Sequence, residues 1–209
     1  MTRPGVLALG MAAPRHAVAL ACLLLAAPLA GCNFKDFYNQ MGTFHVVLVP
    51  QGPENSSLTD FRSLKIAVYG VSLRQQLTLQ PKEFSFGEAP LVVDFLEAGL
   101  KGERIPLATG KMNLRAVDNV TLRLDVIEAV DAQGKDIPTC YEGEPVESFP
   151  CFYMPTNNAY RLQEPQFAPP RGGTVTFGFP LAVKTITVQG DTEYFFVGDP
   201  ADAIIEKKR

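Results

Sequence analysis

Val120-Thr121-Leu122-Arg123-Leu124-Asp125-Val126 is the stretch that decides the fold class. Val120, Leu122, Leu124 and Val126 fall on one face of an extended chain, and Thr121, Arg123 and Asp125 on the other. A period of two with one apolar face is the pattern of a half-buried β-strand whose other face meets water. Moving outward, similar runs of six to ten residues recur, separated by turn residues. Residues 43–49 make a first strand, stopped by Pro50-Gln51-Gly52-Pro53. Residues 64–73 are apolar on both faces apart from Lys65 and Ser72, as expected of a central strand covered on two sides. Phe84-Ser85-Phe86 and residues 91–95 follow, divided by Gly87-Glu88-Ala89-Pro90. Gly134 marks a turn.

Beyond it the pattern lapses. Residues 153–173, rich in proline, with Asn157-Asn158 and Gly172-Gly173, read as a long loop. Strands resume with Val175, Phe177 and Phe179 on one face, then residues 183–188 and 194–197. Residues 199–209 read as a C-terminal tail, a short helix or a fraying end closed by Lys207-Lys208-Arg209. Neither a long run of helical period nor a fixed-period repeat is present beyond the leader. Many short strands with Gly and Pro turns predict an all-β chain, an antiparallel β-sandwich of immunoglobulin-like or transthyretin-like outline, over residues 43–198.

The N-terminal end has a different character. Arg15 precedes an apolar run over residues 17–30 that closes on Leu29-Ala30-Gly31-Cys32. A basic start, an apolar segment and small residues at the cut are the layout of a secretory signal. The tetrad resembles the lipobox of bacterial lipoproteins. That resemblance implies cleavage between Gly31 and Cys32, and a lipidated Cys32 as the new N-terminus. The run is shorter than the roughly 20 apolar residues of a membrane span and is interrupted by Pro28. Residues 1–31 are therefore read as a signal peptide and residues 32–42 as a lipidated tether, with Met11 as an alternative start. Asn33 stands where an aspartate favours inner-membrane retention in enterobacterial lipoproteins, so by the same resemblance it permits the outer membrane, the expected location over the inner membrane.

Removing the leader leaves 178 residues, a one-domain size able to bury about 70% of its unfolded surface. Arg3 and Arg15 leave with it, so 17 basic side chains stand against 22 acidic ones, a net charge of −5. That balance argues against nucleic acid or anionic lipid as the main partner, since both need a cationic face. Cys22 also leaves and Cys32 carries lipid. Cys140 and Cys151 remain, and in an oxidising compartment they are expected to pair around a Glu-, Gly- and Pro-rich loop.

The segments around Val92-Val93-Asp94-Phe95-Leu96, Ile105-Pro106-Leu107-Ala108, Val120-Thr121-Leu122-Arg123-Leu124 and Gly134-Lys135-Asp136-Ile137-Pro138 have a familiar order. Their order resembles a domain-of-unknown-function family of bacterial and archaeal lipoproteins, number four-three-eight-two in that series. Val117 and Asn119 stand where that family has glycine and tyrosine, and the loop between Cys140 and Cys151 is additional. The resemblance implies a sandwich in the cell envelope and names no catalytic residue.

No reactive constellation stands out. His45 is the one histidine left after processing, and it lies within the first strand. His45, Cys140 and Cys151 with Glu142, Glu144 or Glu147 match no zinc spacing. Asp118-Asn119, Asp199 and Asp202 read as turn and cap residues, and Gly172-Gly173-Thr174 as a turn rather than a phosphate loop. Asp94, Glu97, Asp125 and Glu128 could meet across strands, as acids on exposed strand faces often do. The expected function is a non-catalytic, lipid-anchored envelope protein without a cofactor. It would meet the membrane through Cys32 and hold an unknown envelope protein or polysaccharide. The alternative is a glycan-binding module using Phe152, Tyr153, Tyr160 and Phe167, with Tyr153 and Tyr160 as the expected ligand contacts.

Overall fold

The computed structural model describes residues 41–78, 80–86, 89–143, 149–188 and 190–209. The signal peptide, the cleavage position at Gly31 and the lipidation site Cys32 lie outside the described residues. The segment Gln40–Arg209 forms a compact unit by itself.

Alternation writes the first strand, β1 (Met41–Pro50). Phe44, Val46 and Leu48 are fully buried, while Thr43, His45 and Val47 are only partly covered. Met41 and Gly42, expected in the tether, already belong to it. β2 (Phe61–Gln75) follows, then β3 (Lys82–Ser85) and β4 (Leu91–Asp94). A seven-residue helix α1 (Phe95–Lys101) comes next. It is too short for a period to show, but its ends are written locally: the Asp94 carboxylate accepts from the Glu97 amide at 2.9 Å, and Gly102 takes the left-handed conformation at φ +66°. The chain continues through β5 (Ile105–Asn113), β6 (Val117–Asp131), β7 (Thr139–Tyr141), β8 (Cys151–Met154), β9 (Ala159–Phe167), β10 (Thr174–Val188), β11 (Asp191–Val197) and β12 (Ile204–Lys208).

Two sheets face each other across one core, so the all-β sandwich expected from the strand patterns is the architecture. One sheet runs β5-β1-β10-β11-β8-β7, with β12 also on β10; the other runs β3-β2-β6-β9, with β4 also on β2. The first sheet is mixed: β1 with β10, β11 with β8 and β7 with β8 are parallel pairs. β10 serves two partners in turn on one edge, β12 along Thr174 to Gly178 and β11 from Ala182 onward. β6 pairs along nearly all of β2, with Val120, Leu122 and Leu124 fully buried and Val126 nearly so. Phe44, Phe95, Phe152, Phe167, Phe177 and Phe179 are the largest side chains fully out of water. Burying each contributes roughly 1.5–3 kcal/mol, before the ordering entropy it offsets.

Two sequence expectations are corrected. The stretch expected to be a long loop over residues 153–173 contains the end of β8, a 3-10 turn at Thr156–Asn158 and all of β9, a sheet-edge strand. Tyr160, Leu162 and Phe167 all point into the core. The apparent break is a bulge around Pro165, where the pairing jumps from Asn119↔Gln163 to Val117↔Phe167. An edge strand tolerates proline there because one flank needs no donor. The expected tail over residues 199–209 contains β12, whose ladder onto β10 runs from Lys208↔Thr174 to Ile204↔Gly178. Backbone pairing supplies order that a charged sequence does not advertise.

Candidate functional site

Two clefts open at opposite ends of β11. At its C-terminal end, a cavity of about 350 Å³ lies between β9 and the pair β8/β11; its walls include Tyr153, Pro155, Tyr160, Arg161, Phe195 and Phe196. Both tyrosines expected to touch a ligand line it. Their roles differ. Tyr153 is half-buried, stands opposite Phe195 in the β8/β11 ladder, and keeps an accessible ring. Its phenol is pushed above the ordinary range by burial, then by the charges of Glu142 and Glu193. Tyr160 is 8% exposed and faces the core, with its hydroxyl 3.5 Å from the Met154 sulfur. Burial, and secondarily the charge of Asp125, lifts its phenol far above the ordinary range. Tyr160 therefore forms the floor of the cavity, not a stacking surface. Phe152 and Phe167, the other two rings of the expected cluster, are fully buried core residues.

At the other end, a cleft of about 700 Å³ lies where the β10/β11 hairpin overhangs the second sheet. Thr185, Thr187, Thr192 and Tyr194 line one side, and Asp60, Asp131 and Gln133 the other. Burial raises the Tyr194 phenol, helped by the charges of Asp60 and Asp131. Sequence reasoning missed this cleft: its residues come from four separate segments, and only the threonine-rich run over residues 185–192 hints at it.

The expected disulfide is present. Cys140 and Cys151 are bonded with their Cα atoms 5.9 Å apart, tying β7 to β8 on one sheet. Glu142, drawn into the hypothetical zinc set, is engaged elsewhere: it accepts from the Thr156 amide at 3.0 Å and hydroxyl at 2.7 Å, which hold its carboxyl below the usual range. Glu144 and Glu147 lie outside the described residues. Among the described residues no three His, Cys, Asp or Glu side chains gather closely enough to hold a metal ion. The His45 Nδ1 is 2.8 Å from the Thr109 hydroxyl on β5, its register partner.

The four acids considered for a meeting across strands have separate positions. Asp94 caps α1 and Glu97 pairs with Lys101. Glu128 accepts from Lys65 at 2.8 Å and also from the Ser63 hydroxyl, contacts that hold its carboxyl low. Lys65 in turn lies between Glu128 and Asp94 in the β6, β2, β4 register. Asp125 differs: its Oδ1 is buried without a hydrogen-bond partner among the described residues. Asp118 pairs with Arg74 at 3.0 Å, and Asp199 accepts from the Ala201 amide at 2.8 Å. Gly172 takes φ +67° in the turn before β10.

The chain matches no family model, no curated protein and no solved structure. The resemblance to the lipoprotein family of unknown function therefore rests on the order of the strand segments alone.

Proposed function

We propose that the protein is a non-catalytic binding module of the cell envelope, held by lipid on Cys32, whose sandwich engages an envelope protein or polysaccharide. The observation that carries the binding half of this reading is the cavity walled by Tyr153, Phe195 and Arg161, concave and mostly apolar with one cationic group at hand. The anchor half is supported by the Leu29-Ala30-Gly31-Cys32 tetrad, and Asn33 favours the outer membrane. Crosslinking the protein in its native envelope through a photoreactive group at position 153 tests the reading. One recurrent protein or polysaccharide attached there is the expected result. A label that yields only random neighbours, or a mature terminus elsewhere than residue 32, would overturn the corresponding half.

A second reading, a glycan-binding module, is favoured by one specific feature. Tyr153 and Phe195 are adjacent in register and both partly open, the arrangement that lets aromatic faces take sugar C–H groups. Binding on a glycan array that falls at least tenfold in Tyr153→Ala supports it. Array binding unchanged by that substitution excludes this cavity as the sugar site.

A further inference from the structure

We infer that the end of the sandwich where β1 begins is a membrane-facing surface that rests on anionic phospholipid headgroups. The inference extends the lipid-anchored reading above but stands on separate observations. β1 and β10 start at this end, and β2, β5 and β12 finish there. Lys111, Thr43, Thr174 and Lys208 lie in one register row across β5, β1, β10 and β12, so two lysines flank the outer face of the sheet. The Lys111 ammonium donates to the Thr43 hydroxyl at 2.8 Å, and Lys82 reaches across to donate to the Lys111 carbonyl at 2.6 Å. Arg171 stands in the turn whose Gly172 amide donates to the Met41 carbonyl, and Arg209 follows β12. Arg115 sits in the β5–β6 turn, its carbonyl accepting from the Gln75 side chain at 2.9 Å. All six cations are exposed, and none is ion-paired to a described carboxylate.

Two apolar tips project from the same end. Leu77, in the β2–β3 turn, is 93% exposed, and Leu114, in the β5–β6 turn, is 38% exposed. The Gln76 amide donates to the Ala116 carbonyl at 2.9 Å, which holds these turns side by side. Exposed leucines ringed by lysine and arginine suit the boundary between headgroups and acyl chains. Acids reach this end as well, Glu83 beside Lys82 on β3, Asp118 paired with Arg74 and Glu206 paired with Arg104, but they are fewer than the six cations, while Asp60, Asp131 and Asp191 border the 700 Å³ cleft at the opposite end. A negative net charge is thus compatible with a cationic face, because cations without an ion-pair partner outnumber the acids at this end. Only eight residues lie between Cys32 and Met41, a reach of at most about 30 Å. The cationic end is therefore the one an acyl group on Cys32 would hold near the bilayer.

The test uses the chain from residue 32 with Cys32→Ser, so that no acyl chain contributes. It is sedimented with vesicles of phosphatidylcholine alone and with a one-to-two mixture of phosphatidylglycerol and phosphatidylcholine. Partition into the mixed vesicles only, lost as salt rises, is expected. Arg171→Glu and Lys208→Glu should each weaken it about fivefold or more, and Leu77→Asp should weaken it further. Lys135→Glu, at the opposite end, should leave it unchanged. Equal partition into both vesicles, indifference to salt, or an equal effect of Lys135→Glu would overturn the inference. Mass spectrometry of Cys32 from the native envelope reads the anchor separately: a bare sulfur with charge-dependent vesicle binding removes the anchor and keeps the face. An acylated sulfur with charge-blind binding does the reverse.

Discussion

The Ser56 hydroxyl donates to the Val183 carbonyl at 3.3 Å and accepts from the Val183 amide at 2.9 Å, although 127 residues separate the two in sequence. β1 stops pairing with β10 at Leu181, and beyond it the buried Ser56 side chain and the Ser57 amide, the latter 2.8 Å from the Val183 carbonyl, take over the backbone of Val183. Ser56→Ala would strand the Val183 amide in a dry site, while the Val183 carbonyl keeps the Ser57 amide at 2.8 Å. The expected loss is about 1–3 kcal/mol of unfolding free energy, read as a lower urea midpoint with an unchanged slope.

Cys140 and Cys151, 11 residues apart, close a short loop. Restricting such a loop in the unfolded chain is worth about 3 kcal/mol. Replacing both cysteines by serine should lower stability by about that amount while far-ultraviolet circular dichroism stays the same. Stability equal to that of the parent would show that the bridge is incidental to the fold.

Gly70 lies where β3 crosses close to β2, and a Cβ there would sit 2.6 Å from the Phe84 carbonyl oxygen. Gly70→Ala must push β3 outward, at an expected cost of about 1–3 kcal/mol. Gly102→Ala meets no atom within 4 Å and is opposed only by its positive φ, so it should cost about 1 kcal/mol. Reversal of that order in thermal melts would contradict the β2/β3 contact.

Stability should fall at both ends of the pH scale, from different groups. Glu128 is held below its ordinary value of 4.5, first by Lys65 and then by Ser63, so the unfolded chain takes up its proton first as pH falls. That stabilisation is complete above about pH 4.5 and is lost as acid carries the solution down through the folded value. Glu128→Gln should flatten the acid limb of a stability-against-pH curve. Tyr160 is shifted the other way: above its ordinary value of 10 the unfolded chain ionises while the folded phenol stays neutral. Tyr160→Phe should hold stability further into alkali, and it should cost little at neutral pH because the hydroxyl's partner is only a thioether sulfur.

Much of the architecture was legible in periodicity. The β6 core face, the alternation of β1 and the Val175, Phe177, Phe179 face of β10 are local patterns, and a strand exposes its burial in every second residue. β9 and β12 were not legible, because what orders them is a neighbour's backbone ladder rather than their own apolar content. The helix α1 hid for a related reason: seven residues give under two turns, so only its caps carried a signal. At the candidate cavity, Tyr153 and Tyr160 were both anticipated, yet their chemical type could not say that one ring is open and the other is floor. Register decides that, since Tyr160 pairs with core-facing Leu122 while Tyr153 lies opposite Phe195.

Composition and pattern alone determined that this chain is built of strands around one apolar core, and that two cysteines close to each other in sequence would meet. Where the charges go was settled only by folding. A total of −3 has no direction; running β5, β1, β10 and β12 side by side places Lys111 and Lys208 in one row, while β6 carries Asp131 to the far end. Residues far apart in sequence acquire a shared electrostatic field only when a sheet register brings them together.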